Sequence, residues 1–166
     1  MHVYNIHVFA RHLEPVKHIG VCSPGMHLTR YTDYSLRVLL YLGTHEERVC
    51  SVSEIARTYD ISQNHLMKVV HNLGRAGYVK SVRGRLGGVR LAKACEEINI
   101  GEVVRSMEED LQLVDCGACL IAPACGLTSA LNKALYAFMT VLDGYTLADL
   151  MKQRGKLARL LDLGVA

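Results

Sequence analysis

Cys116, Cys119 and Cys125 form a Cys-x2-Cys-x5-Cys arrangement within one short stretch. Gly117, Ala118 and Pro123 lie between them, so the chain can bend and bring the three sulfurs toward one centre. Thiolates bind zinc and iron-sulfur clusters, and accessible thiols also act as oxidation sensors. A structural zinc site needs four closed ligands, commonly a second Cys pair or a His pair, yet no His follows His71. Zinc is therefore the poorer fit. A cluster held by three thiolates and one non-cysteine ligand stays open, and so does a peroxide- or disulfide-sensing thiol switch. An exchangeable fourth ligand suits a sensor better than an electron carrier. Cys22, Cys50 and Cys95 are scattered and read as small apolar side chains or incidental thiols.

A second chemistry is written in the charges. Between Ile61 and Lys93 stand Lys68, Arg75, Lys80, Arg83, Arg85, Arg90 and Lys93, without a single Asp or Glu. From Glu96 to Asp115 the balance reverses, with Arg105 alone against seven acids. A basic block next to an acidic one points to a localised polyanion-binding face rather than a uniformly charged surface.

The elements that would position these groups follow from periodicity and capping. Asp33 to Leu42 reads as a largely buried first helix starting at Thr32 or Asp33, with Gly43 near its end. Ser51 and Glu54 have capping-box spacing at the start of a short second helix, and Asp60 and Ile61 form a tight turn. Ser62 is placed to cap a third helix from Gln63 to about Ala76. On it Leu66, Val69, Val70 and Leu73 share one face while Asn64, Lys68, His71 and Arg75 share the other. Two short helices joined by a tight turn predict a helix-turn-helix. Ser62, Gln63, Asn64, His65 and Lys68 are then the side chains offered to base edges and phosphates.

Tyr78 to Val82 and Val89 to Leu91 have strand-like residues on either side of Arg83-Gly84-Arg85-Leu86-Gly87-Gly88. This predicts a hairpin with a basic, glycine-rich tip, from which Arg83 and Arg85 can enter a minor groove. Helix-turn-helix plus hairpin is a winged helix. A further helix is expected over Ile98 to Met107. After the cysteine loop, apolar residues from Leu127 to Leu142 recur at three- and four-residue steps, the pattern of a long dimerisation helix ending near Asp143-Gly144.

The fold class is thus mainly α: a winged helix-turn-helix with a small hairpin wing and a long C-terminal dimerisation helix. The expected organisation is an extension over 1–25, a winged-helix unit over 26–95, the cysteine loop and long helix over 96–150, and a tail over 151–166. The 166 residues, 50% apolar and 21% charged with only 3 Pro, fit one compact unit and not a disordered chain. No apolar run is long enough to span a membrane. Met1 to Gly25 lacks the apolar core and cleavage site of a secretory signal, so a cytoplasmic location with reduced thiols is expected. His2, His7, His12 and His18 in that stretch fit no metal-ligand spacing. No P-loop, no redox Cys pair beside a strand-helix unit and no nucleophile with a partner is present, so an enzyme is not expected.

Four segments together resemble a known family: Leu28-Thr29-Arg30-Tyr31-Thr32-Asp33-Tyr34, Ile61 through Val70, Arg75-Ala76-Gly77-Tyr78-Val79, and Val82 through Leu91. They are similar to the NsrR, IscR and RirA family of winged-helix iron-sulfur repressors, over Met26 to about Leu150. Pro123-Ala124-Cys125 and Tyr145 through Leu150 resemble its nitric-oxide-sensitive NsrR branch most. The absence of a His near the cysteine loop sets the chain apart from the IscR ligand set, and the two-residue first Cys spacing is shorter than is usual for NsrR.

The resemblance implies a homodimer on palindromic double-stranded operator DNA, released when nitric oxide attacks the iron and displaces ligands. It implies Cys116, Cys119 and Cys125 as cluster ligands, with Asp33 of the partner subunit as a fourth. A 2Fe-2S cluster is favoured over 4Fe-4S, although four ligands can hold either. A sensor of iron or cluster supply is the alternative regulator, and a zinc- or thiol-based redox module the alternative outside regulation.

Overall fold

The structure, a computed structural model, describes residues 27–84 and 87–163. Arg85 of the expected wing tip, the 1–25 extension with its histidines and Cys22 lie outside the described residues.

The first helix, α1 (Arg30–Thr44), starts earlier than the sequence suggests because Thr29 supplies the cap, its hydroxyl accepting from the Thr32 N–H. This helix is the centre of the core: Val38, Leu39 and Leu42 are buried on it. Its buried polar groups are satisfied locally, with the Ser35 hydroxyl donating to the Tyr31 carbonyl at 2.9 Å.

Helix α2 (Val52–Thr58) is capped by Ser51 as expected, the Glu54 N–H donating to its hydroxyl at 3.1 Å. Asp60 takes a φ of 52° in the turn that follows, and the Ile61 N–H closes that turn on the Ala56 carbonyl at 2.9 Å. Helix α3 (Gln63–Arg75) then buries Leu66, Val69, Val70 and Leu73. Ser62 occupies its N-cap position, but its side chain makes no capping bond. That hydroxyl is exposed and left for other partners.

Strands β1 (Val79–Val82) and β2 (Gly88–Leu91) pair antiparallel, with Val79 opposite Leu91 and Lys80 opposite Arg90. The chain before α2 extends this hairpin by a bridge in which Cys50 and Val89 exchange both backbone hydrogen bonds. Gly88 is required there, since a Cβ would run into the Cys50 carbonyl oxygen. Gly84, at φ 118°, occupies the region of the tip where side chains are strained.

Helix α4 (Ile100–Met107) begins two residues later than expected, at the Asn99 cap, because the Ile98 carbonyl is taken by the Leu147 N–H at 2.8 Å. The long helix α5 (Leu127–Asp143) ends where the sequence places it, and Met139 is its one buried residue. Beyond Thr146 the chain forms α6 (Leu147–Leu150) and α7 (Arg154–Leu163), where the sequence suggests no element. Helix α7 returns onto α1: Arg154 Nη1 pairs with Glu46 at 3.0 Å and Leu161 is buried. Among the described residues no helix is long and apolar enough to cross a membrane.

Candidate functional site

Burying one face of α3 fixes what the other face offers. Ser62, Gln63, Asn64, His65 and Lys68 are all exposed, as is Arg83 at the described edge of the wing tip. No acidic side chain lies on α3, and among the described residues its cations form no ion pair. The helix surface itself is therefore positive and free of ion pairs among the described residues, as a polyanion-binding face requires.

Sequence reasoning missed Tyr31. Its hydroxyl donates to the Lys68 carbonyl at 3.2 Å, tying the first turn of α1 to the middle of α3. With Asn64, Met67, Lys68, His71 and Asn72 it lines a shallow groove along the exposed side of that helix. Burial raises its phenol above the ordinary 10.0, so ionisation of this donor is disfavoured further. No spacing pattern marks this pair, because the acceptor is a backbone carbonyl distant in sequence.

The cysteine loop folds as consecutive reverse turns. The Cys119 N–H donates to the Cys116 carbonyl at 3.3 Å, Ala122 to Cys119 at 3.1 Å, and Cys125 to Ala122 at 3.3 Å. Cys119 is exposed, and Cys116 and Cys125 are half-buried. The Cys116 sulfur lies 3.2 Å from the Thr128 hydroxyl in the first turn of α5, and Cys125 lines a surface pocket with Thr128, Ser129 and Lys133. Between the cysteines Leu120 is 95% exposed. Among the described residues no three Cys, His, Asp or Glu side chains are arranged to hold one metal ion, so in the single chain the thiols share a loop but not a centre. The donor set itself suits a cluster: three thiols on one loop, one exposed and two half-buried.

Cys50 and Cys95 are of another kind. Burial pushes both thiols up to about 12, and the Cys95 S–H donates to Glu46 Oε1 at 2.6 Å. Neither is an accessible ligand, in keeping with their reading as small apolar side chains. Asp33 stands in the first turn of α1 with Arg37 gripping it: Nε donates to Oδ1 and Nη2 pairs with Oδ2, each at 2.9 Å. The pair is half-exposed, and an ionised carboxylate so held keeps lone pairs for a further partner.

A helix-turn-helix whose second helix is acid-free, followed by a two-stranded basic hairpin, defines a winged-helix protein. The chain belongs to the Rrf2 family, described as "Iron-dependent Transcriptional regulator", whose pattern matches residues 28–153. It is 50% identical over 144 residues to the HTH-type transcriptional regulator NsrR of Bacillus subtilis (strain 168), covering 83% of this chain and 99% of that one. It is 51% identical over 142 residues to the regulator of the same name from Bacillus licheniformis, covering 82% and 99%. Among solved structures it is similar to T. potens IscR, with a TM-score of 0.65 and 29% identity over 78% of this chain and 88% of that one. It is also similar to CymR (YrzC), the global cysteine regulator of B. subtilis, with a TM-score of 0.64 and 29% identity over 76% and 96%. The relatives named are transcriptional regulators, and the mainly helical winged-helix architecture is theirs.

Proposed function

We propose that the chain is a homodimeric repressor of double-stranded operator DNA in which Cys116, Cys119 and Cys125 hold an iron-sulfur cluster that senses nitric oxide. The observation that carries this reading is the placement of three accessible thiols on one loop directly before a helix with an uncovered apolar stripe. Leu127, Ala134, Phe138 and Val141 fall within about 60° of one another around α5 at 100° per residue. Leu127 is 57% exposed and Val141 60%. A second copy covers such a stripe most simply, by isologous pairing.

When bound, the cluster supplies iron that nitric oxide can attack. The chain's residues supply the rest. Asp33 of the partner subunit is the proposed fourth ligand. Within each chain position 33 shares the first turn of α1 with Tyr31, and Tyr31 is bonded to the recognition helix, so a pull on that turn is passed to α3. Gln63, Asn64 and His65 then read base edges while Lys68, Arg83 and Arg85 meet phosphates or the minor groove. The cluster is taken as 2Fe-2S, with 4Fe-4S as the other type four ligands can hold, and the protein as cytoplasmic.

A sensor of iron or cluster supply is the second reading, favoured by the family's description as iron-dependent. Anaerobic purification with iron, sulfide and zinc measured per chain tests the cluster. Titrating nitric oxide or an iron chelator while following DNA binding tests the signal. Stoichiometric iron and sulfide, with DNA released at the lower dose by nitric oxide, is the expected result. Release by iron removal alone would select the second reading, and zinc or bare thiols would discard both.

A further inference from the structure

We infer that Lys80 and Arg90, opposite each other across the wing, form a phosphate-gripping pair that holds the DNA backbone beside the recognition helix. The inference rests on the DNA-binding reading above and extends the contact surface from α3 and the wing tip to the body of the hairpin. The register sets the two residues directly opposite, so both side chains leave the same face of the sheet. Their Cβ atoms are then separated by about 4.5–5.5 Å, a spacing at which like charges destabilise a strand pair. Both residues are exposed, and among the described residues neither forms an ion pair.

Several cations elsewhere are compensated. Arg37, Arg48, Arg105 and Arg154 each face a carboxylate within 3.0 Å. Lys93, just past β2, sits 5.4 Å over the Tyr78 ring. Among the described residues no carboxylate pairs with Lys80 or Arg90, and an outside anion would relieve their repulsion. The strands cannot relax by turning over either, because the neighbouring Val79 and Val89 are buried. An arginine fork beside a lysine point charge fits the paired non-bridging oxygens of a phosphodiester. Continuity with Lys68 and Arg83 in the same acid-free segment assigns that phosphate to the duplex the recognition helix addresses.

The test uses the full chain in its DNA-binding state with a mixed-sequence duplex of about 30 base pairs, long enough for salt-dependent backbone binding. Lys80→Gln/Arg90→Gln should reduce the slope of log K against log salt by about two units, roughly 0.9 for each phosphate no longer neutralised. Its melting temperature should equal or exceed that of the unmodified chain, because a repulsion has been removed. An unchanged slope and affinity, with the unmodified protein binding normally, would overturn the inference and leave the DNA reading standing; an unmodified protein that binds no duplex would overturn both. If the double variant melts lower, the single variants Lys80→Gln and Arg90→Gln decide: a slope lowered by about one unit in each, at an unchanged melting temperature, supports the pair, and an unchanged slope in a folded single variant refutes it. Inorganic phosphate should compete no better than chloride at equal ionic strength. Stronger competition that disappears in the Gln variant would make this a free-anion site and refute the assignment.

Discussion

The guanidinium of Arg105 grips both carboxylate oxygens of Asp143 at 2.6 Å each, joining α4 to the last residue of α5. Asn99 Nδ2 adds a bond to the Asp143 carbonyl at 2.7 Å, and the Ile100 N–H donates to the Tyr145 carbonyl at 2.9 Å. Helix α4, which packs against α1, is thereby attached to the far end of the long helix and not only to the loop that precedes it.

The junction is closed by Gly101, because a Cβ there would collide with the Asp143 carboxylate. Gly101→Val should lower stability by about 1–3 kcal/mol, the usual cost of forcing a side chain into packed space. Arg105→Ala should cost less, since its ion pair is exposed and solvent weakens such pairs. Urea denaturation of the two variants checks the order, and a larger drop in Arg105→Ala would move the weight from packing to the ion pair.

DNA contact is predicted residue by residue. Lys68→Ala and Arg83→Ala should each weaken binding to a duplex and lower the salt slope by about one unit, as removing one phosphate-neutralising cation does. The fold should be unaffected, because both side chains are exposed. Fluorescence anisotropy across a salt series measures both quantities. Equal slopes in variants and unmodified protein would remove these residues from the interface.

What could be read in the sequence follows from whether a signal is local. The apolar face of α3 and the Ser51 cap come from spacings within one or two turns, and both appear in the structure. Helix starts shift where a distant partner decides them, as at Ile98, whose carbonyl serves Leu147 instead of opening α4. Helix α7 is hidden because its packing depends on distant α1 and the turn after it, where Leu161 is buried and Arg154 pairs with Glu46. The site divides the same way: three thiols in one loop are legible by spacing, whereas Tyr31 answers to a backbone carbonyl that no residue type announces.

The five described cysteines should separate by reactivity and by pH. Alkylation of the cluster-free native protein at pH 8 should modify Cys119 first and spare Cys50 and Cys95, whose thiols burial holds at about 12 instead of the ordinary 9.0. A raised acid pKa in the folded state means the protonated thiol is the one the fold favours. That contribution is fully present below about pH 9 and is lost as pH rises toward 12, at about 1.4 kcal/mol per pH unit for each fully differing group. Stability should therefore fall over this window, and Cys95→Ala should flatten the decline. Denaturant melts from pH 8 to about pH 11 check it; an equally steep decline in Cys95→Ala would deny that this thiol is held protonated by the fold.

The uncovered stripe on α5 makes the last prediction. Phe138 and Val141 are 41% and 60% exposed although both are large and apolar, and they point to the same side as Leu127. Tyr136 is 76% exposed but lies about 160° around the helix from Phe138. If a second copy covers the stripe, Val141→Glu places a charge in a dry interface and should convert dimer to monomer at micromolar concentration. Tyr136→Glu, on the opposite side, should leave the dimer intact. Sedimentation velocity with circular dichroism separates dissociation from unfolding. A helical Val141→Glu chain that still sediments as a dimer would place the pairing surface elsewhere. Dissociation by Tyr136→Glu alone would rotate the interface to the other face of α5.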